Sequence, residues 1–194
     1  MTDFHQAQGA ITKQVLSLVE KVSNPIILID GRAASGKSTL AASLQNAIFK
    51  ELEQAPRVIH MDDLYPGWEG LRAGSQYLVQ NILQPLRAGK TAHWQIWNWE
   101  TSQRGAHAEV GNGWREFELH APLIVEGCGS VSRASRELAD LTIWLEVDRT
   151  TRRTRWDQRD GEKFAEYWPI WEAQEDEFYQ LEKSKELADL VLTN

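Results

Sequence analysis

The chain has 194 residues, a formal net charge of −7 and a single cysteine, Cys128. That length suits one α/β domain over 1–194, and the acidic balance argues against non-specific binding to nucleic acid or a membrane surface. A lone thiol excludes a disulfide framework and a multi-cysteine zinc site. The hydrophobic share of 42% suffices for a buried core. The first residues form neither a basic leader nor a long apolar segment, and no apolar run approaches the roughly 20 residues of a bilayer span. A cytoplasmic protein is therefore expected.

Ile11, Val15, Leu18 and Val22 recur at helical spacing and predict a helix over about 5–22, ended by Ser23-Asn24-Pro25. Ile26 to Ile29 is wholly apolar, as a strand buried on both faces should be. Residues 31–36 read as loop, and Lys37 to about Lys50 as helix, with Leu40, Leu44, Ala47 and Ile48 on one side. Val58 to Met61 is a second strand, 62–73 a loop rich in Gly, Pro and Asp, and about 75–88 a helix. A strand at Trp94–Trp99 precedes a polar loop or small hairpin over 100–116. Two further buried strands, Leu123–Val125 and Leu141–Val147, come next. Helices over about 150–158 and 163–183 and a strand at Leu187–Leu192 complete the chain. Short apolar strands alternating with helices predict a doubly wound five-stranded parallel sheet.

The first strand runs into Gly31-Arg32-Ala33-Ala34-Ser35-Gly36-Lys37-Ser38 and then into a helix. This is the G-x-x-x-x-G-K-S pattern in its strand–loop–helix setting. Its glycines let backbone N–H groups turn inward toward phosphate oxygens, and the helix aims its positive end at the same point. Lys37 supplies a cation for the β- and γ-phosphates, and the Ser38 hydroxyl a ligand for Mg²⁺. Gly31, Ala33, Ala34, Ser35, Gly36, Lys37, Ser38 and Thr39 are thus the candidate contacts to ATP. A GTPase would need an N-K-x-D guanine motif and a D-x-x-G switch, and neither occurs. Helicases and AAA-type ATPases need a longer chain and adjacent acids after a Walker B strand, where this chain has Glu126-Gly127.

A small kinase remains, and each part it needs has a candidate. Asp62 and Asp63 follow the second strand on the P-loop side of the sheet, where a carboxylate can accept the proton of an attacking hydroxyl or help hold Mg²⁺. Glu126 ends another strand on that side and is a second candidate near the metal. Arg152, Arg155 and Arg159, three and four apart, share a helix face suited to charge on a moving phosphoryl group. Trp97 and Trp99 offer flat surfaces to a ring in the acceptor. The clusters Trp94-Trp97-Trp99 and Trp156-Trp168-Trp171 suit core packing or this second role. His60, His93, His107 and His120 show no metal-ligand spacing, and Glu172, Glu175, Asp176 and Glu177 read as a solvated helix face.

Along Ile26 to Leu192 these residues resemble the uridine kinase-like family of P-loop nucleoside kinases. Its G-x-x-A-S-G-K-S loop matches Gly31 to Ser38, its D-S-F-Y element looks like Asp62-Asp63-Leu64-Tyr65, and its E-G pair matches Glu126-Gly127. Its R-x-x-R-x-x-x-R-D lid matches Arg152, Arg155, Arg159 and Asp160, and its final A-D-x-x-x strand resembles Ala188 to Leu192. The resemblance implies that Asp62 is the base, that Tyr65 lines the acceptor pocket, and that a short lid covers about 149–168. The acceptor side departs from the family. Trp97-Asn98-Trp99 stands for Y-D-F, Ser75 for an acid that grips ribose hydroxyls, and no R-G-R segment follows Asp160.

The expected activity is transfer of the γ-phosphoryl group of ATP, with Mg²⁺, to a hydroxyl of a nucleoside-like small molecule. One rival is another small metabolite or a nucleoside monophosphate as acceptor, for which Arg72, Arg87 and Arg104 are the candidate cations. The other is an ATP-binding regulatory module, which would need neither Asp62 nor the arginines.

Overall fold

A computed structural model describes residues 2–105 and 111–193, and the side chains of residues 2–5, 160 and 162 are not described. His107 and part of the expected loop at 100–116 thus lie outside the described residues, as does the side chain of Asp160.

Helix α1 (Thr2–Lys21) leads into strand β1 (Ile26–Gly31), and α2 (Lys37–Leu52) follows the glycine-rich loop. Strand β2 (Arg57–His60) ends in a single 3-10 turn at Met61–Asp63. Helix α3 (Leu71–Leu78) passes through a π turn at Val79–Leu83 into α4 (Gln84–Arg87). Two small antiparallel pairs come next, β3 (Ala92–Gln95) with β6 (Trp114–Phe117) and β4 (Trp97–Asn98) with β5 (Gln103–Arg104). Strand β7 (Leu123–Glu126), helix α5 (Arg133–Arg136), β8 (Leu141–Glu146) and α6 (Arg149–Asp160) return to the main body. After a 3-10 turn at Gly161–Phe164, α7 (Tyr167–Glu182), α8 (Ser184–Leu187) and β9 (Leu190–Thr193) end it.

The main sheet is parallel throughout, in the order β2-β7-β1-β8-β9. Its period of two sorts the apolar residues into two layers. Ile27, Ile29, Ile124, Ile143 and Leu145 pack with Val15 of α1 and Leu40 and Leu44 of α2. Ile26, Leu28, Leu123, Val125 and Trp144 face the other way, toward Leu71 of α3 and Phe178 of α7. Strands buried on both faces need no polar alternation, which is why they read as continuous apolar runs.

The sheet has the five expected strands, and most of the differences lie outside it. Helix α3 begins at Leu71 rather than near 75, so Ser75 falls in its second turn and is buried. The strand expected at Trp94–Trp99 is broken into β3 and β4. Ile96 between them donates to the Gly113 carbonyl and accepts from Gly105 N–H, which turns the chain from one partner to the other. The last strand starts at Leu190, because Ser184–Leu187 closes one more helical turn. No helix among the described residues is long and apolar enough to cross a membrane.

Candidate functional site

Parallel strands place all their C-terminal ends on one edge, and the loops there enclose a cleft of about 1050 Å³. The Gly31–Ser38 loop forms its floor. Gly31 has φ 147°, and a Cβ there would meet the Leu145 carbonyl oxygen at 2.5 Å, so no larger residue fits the close passage of β1 against β8. Ala34 at φ 62° and Gly36 at φ 102° turn the backbone through the left-handed region, an unusual demand on an alanine. The N–H groups of Ala34, Gly36, Lys37, Ser38 and Thr39 meet no acceptor among the described residues. They form a concave set of donors at a helix start, the arrangement that binds phosphate. Lys37 Nζ bends back to the carbonyls of Gly31 (2.7 Å) and Arg32 (3.0 Å) and lies 3.5 Å from Cys128 Sγ. Burial disfavours its charge, yet the Cys128 sulfur and the carboxylates of Glu126, Glu175 and Asp30 outweigh burial and raise its pKa.

Glu126 closes β7 beside this floor, nearly buried. Its Oε1 accepts from Ser38 Oγ at 3.0 Å and lies 2.6 Å from His60 Nδ1. Burial pushes its pKa up, but the His60 hydrogen bond, the Lys37 charge and the Ser38 hydroxyl together bring it below the usual value. The same hydrogen bond raises the pKa of His60. Asp62 stands on the 3-10 turn after β2, where its exposed side chain lines the cleft. Desolvation, then the charge of Glu126, raises its pKa, against the pull of Lys37 and Arg159. Ser38, Asp62 and Glu126 are oxygen donors, the chemistry Mg²⁺ takes. No cluster of three or more His, Cys, Asp or Glu fit to hold a metal occurs among the described residues. That suits an ion completed by phosphates and water rather than by a protein cage.

The opposite wall is aromatic. Trp68 stacks on Tyr167 with ring centroids 4.4 Å apart and planes 10° apart, and it also meets Trp99, Phe164, Trp156 and Trp171. Trp99 donates from Nε1 to the Asp62 carbonyl at 3.0 Å, so the β4–β5 turn holds the backbone that carries Asp62. Arg155, Arg159 and Lys163 bring positive charge from α6 and the turn after it.

Several expected residues sit elsewhere. Arg152 is buried behind the loop. It donates to the carbonyls of Val147 (3.2 Å) and Ala33 (3.4 Å) and lies 3.8 Å from Glu175, whereas Arg155 and Arg159 line the cleft. The three do share a helix stripe, but the stripe crosses from the loop's underside to the opening. Trp97 does not line the cleft, and its indole lies 5.9 Å from the Arg104 guanidinium. Arg104 is no cleft cation either. Its guanidinium donates to the carbonyls of Gln95 (3.1 Å) and Leu64 (2.7 Å) and lies 3.6 Å over Tyr77, tying the hairpin to the loop after β2. Arg72 pairs with Glu177, and Arg87 with Asp140, both away from the cleft. Tyr65 does line it, with its hydroxyl donated to the Cys128 carbonyl at 2.7 Å. Ser75 borders a separate depression beside Arg72 and Glu182.

Glu175 corrects the reading of α7 as a solvated acidic face, for it is 1% exposed. It lies on the stripe Trp168, Trp171, Glu175, Phe178, Tyr179, spaced by three and four, so the helical phase already marked it as inward. Glu172, Asp176 and Glu177 pair instead with Arg149, Arg32 and Arg72. Trp68, Phe164 and Tyr167 were not singled out by the sequence. For Phe164 and Tyr167 the one signal is the clustering of aromatic residues around 156–171, and Trp68 has none.

No family model and no curated protein matches the chain. Among solved structures, one from Bacillus stearothermophilus described as a possible uridine kinase superposes with a TM-score of 0.67. The match covers 98% of this chain and 99% of that one, at 20% identity. The chain has the P-loop fold of the uridine kinase-like kinases. A candidate fructose transport system kinase from Silicibacter shares this kinase fold at TM-score 0.58 and 18% identity, over 93% of this chain and 97% of its own. So does D-glycerate 3-kinase from Cryptococcus neoformans, at TM-score 0.52 and 11% identity, over 97% and 90%. At these identities the likeness is one of fold.

Proposed function

We propose that this protein is an ATP-dependent kinase that transfers the γ-phosphoryl group to a hydroxyl of a nucleoside-like small molecule. The observation that carries the reading is the meeting in one cleft of a phosphate-binding loop, a carboxylate at the end of β2 and the cations Arg155 and Arg159. A nucleotide-binding module without an acceptor has no use for the last two. The triphosphate rests on the free N–H groups of Gly31–Thr39, with Lys37 released from the Gly31 and Arg32 carbonyls to meet it. Ser38, with Asp62 and Glu126 beside it, holds Mg²⁺, which offsets phosphate charge when bound. Asp62 accepts the proton of the acceptor hydroxyl, and its raised pKa suits a base. Lys37, Arg155 and Arg159 stabilise charge on the moving phosphoryl group. The aromatic wall of Trp68, Trp99 and Tyr167 contacts the body of the acceptor and excludes water.

The folds of D-glycerate 3-kinase and of the candidate fructose transport system kinase support a second reading, a non-nucleoside hydroxylated metabolite in the same role. Acceptor-dependent ADP release across nucleosides, nucleoside monophosphates, sugars and hydroxy acids tests both. Stimulation by nucleosides supports the first reading and stimulation by sugars or hydroxy acids the second. No stimulation by any acceptor, with ATP still bound, would favour the regulatory module.

A further inference from the structure

Helix α7 touches both the glycine-rich floor of the cleft and its aromatic wall. Trp168 and Trp171 near its start pack among the aromatic residues of α6 and the loop after β2. Gln174 accepts from Leu71 N–H at 3.2 Å and donates to the Trp68 carbonyl, holding the loop that carries Trp68. One turn on, Tyr179 donates to Asp30 at 2.8 Å, directly before the glycine-rich loop. Between them, Glu175 reaches the loop itself. Its Oε1 accepts the Ala33 N–H, and its Oε2 lies 3.5 Å from Arg32 and 3.8 Å from Arg152.

A buried carboxylate is costly unless it is well satisfied. This one is satisfied by the loop, by the arginine beneath it and by Cys128, whose thiol donates to Oε1 at 3.3 Å. Ala33 precedes Ala34, the residue with a left-handed backbone, so the turn that points the next N–H groups inward starts where Glu175 holds the chain. Arg152 adds a second tie, since it also donates to the Ala33 carbonyl. The N–H and carbonyl of one loop residue are therefore both fixed from outside the loop.

We infer that Glu175 is a positioning residue for nucleotide binding, setting the phosphate loop through the Ala33 N–H rather than by touching nucleotide. The inference rests on the kinase reading above and deepens it. It assigns the effect to an acceptor oxygen in the right place, so side-chain length matters more than charge. Glu175→Gln keeps that oxygen, Glu175→Asp withdraws it by one methylene, and Glu175→Ala removes it.

The test is titration of each variant with ATP and Mg²⁺, together with KM for ATP, kcat and thermal midpoint. The Ala and Asp variants are expected to weaken ATP binding and raise KM for ATP by about tenfold, the scale of one charge-assisted hydrogen bond. Glu175→Gln should stay within about threefold of the unmodified chain, and KM for the acceptor should not move. Should the Ala variant fail to fold, the Asp and Gln pair decides. Lower thermal midpoints with unchanged ATP affinity would overturn the inference, as would a Gln variant as impaired as the Asp variant. An unmodified chain that binds no ATP would overturn the kinase reading, and the inference with it.

Discussion

The two ends of the cleft are built by opposite means. At the end floored by the glycine-rich loop, backbone N–H groups form the surface, and buried polar side chains hold the backbone. Asp30 accepts from Gly31 N–H, Gly129 N–H, Val131 N–H and Tyr179 Oη, while Glu175 and Arg152 fix Ala33. At the opposite end, side chains form the wall, and they are large and aromatic. Trp68 comes from the loop after β2, Trp99 from the β4–β5 hairpin and Tyr167 from α7. A charged ligand of fixed shape can be met by rigid dipoles, at no reorganisation cost.

That contrast predicts which changes hurt most. Lys37→Ala removes the one buried cation on the loop and should lower kcat/KM by at least about 10²-fold, on the scale of lost electrostatic stabilisation, with the fold kept in circular dichroism. Arg159→Ala, at the cleft mouth, should lower kcat by about tenfold while leaving ATP affinity within about threefold. Equal losses in the two variants would erase the proposed difference between floor and lid.

Asp30 sharpens the comparison through pH. Burial raises its pKa to about 6, against hydrogen bonds from Val131, Gly31 and Tyr179 that pull it down. The unfolded chain titrates it at about 3.9, so between those values the folded state holds the proton more often. Its contribution to stability is full below about pH 4 and falls as pH rises through about 6, by on the order of 3 kcal/mol. Denaturant unfolding from pH 4 to 7 should show this component in the unmodified chain and lose it in Asp30→Asn. A profile unaltered by the substitution would remove Asp30 from the account. The smallest effect is expected at Arg104. Arg104→Ala should cost about 1–2 kcal/mol of stability, for its lost hydrogen bonds, and leave the acceptor KM within about twofold. A large rise in that KM would return Arg104 to the acceptor site.

The centre of the sheet was legible because β1, β7 and β8 are buried on both faces, and apolar runs such as Ile26–Ile29 have few other uses. The glycine-rich loop was legible because its chemistry needs fixed residue types at fixed spacing. Asp62 and Glu126 followed from the rule that parallel strands end on one side. The aromatic wall was legible only in part: Trp99 was named from the sequence, whereas Trp68 and Tyr167 join it only in three dimensions, and nothing in an indole distinguishes a core from a pocket. Arg104 was misplaced because a guanidinium satisfied by carbonyls reads, in sequence, like one awaiting a ligand. Glu175 could have been found by counting its helix phase against Trp171 and Tyr179 rather than grouping it with its acidic neighbours.

The most direct test of the central claim is Asp62→Asn, assayed for ATP affinity and for acceptor-dependent ADP release on the same preparation. The account predicts that turnover falls by about 10²–10⁴-fold, the usual worth of a general base, while ATP affinity stays within about threefold. Turnover preserved in the variant would contradict it, because the cleft would then be working without the carboxylate at the end of β2.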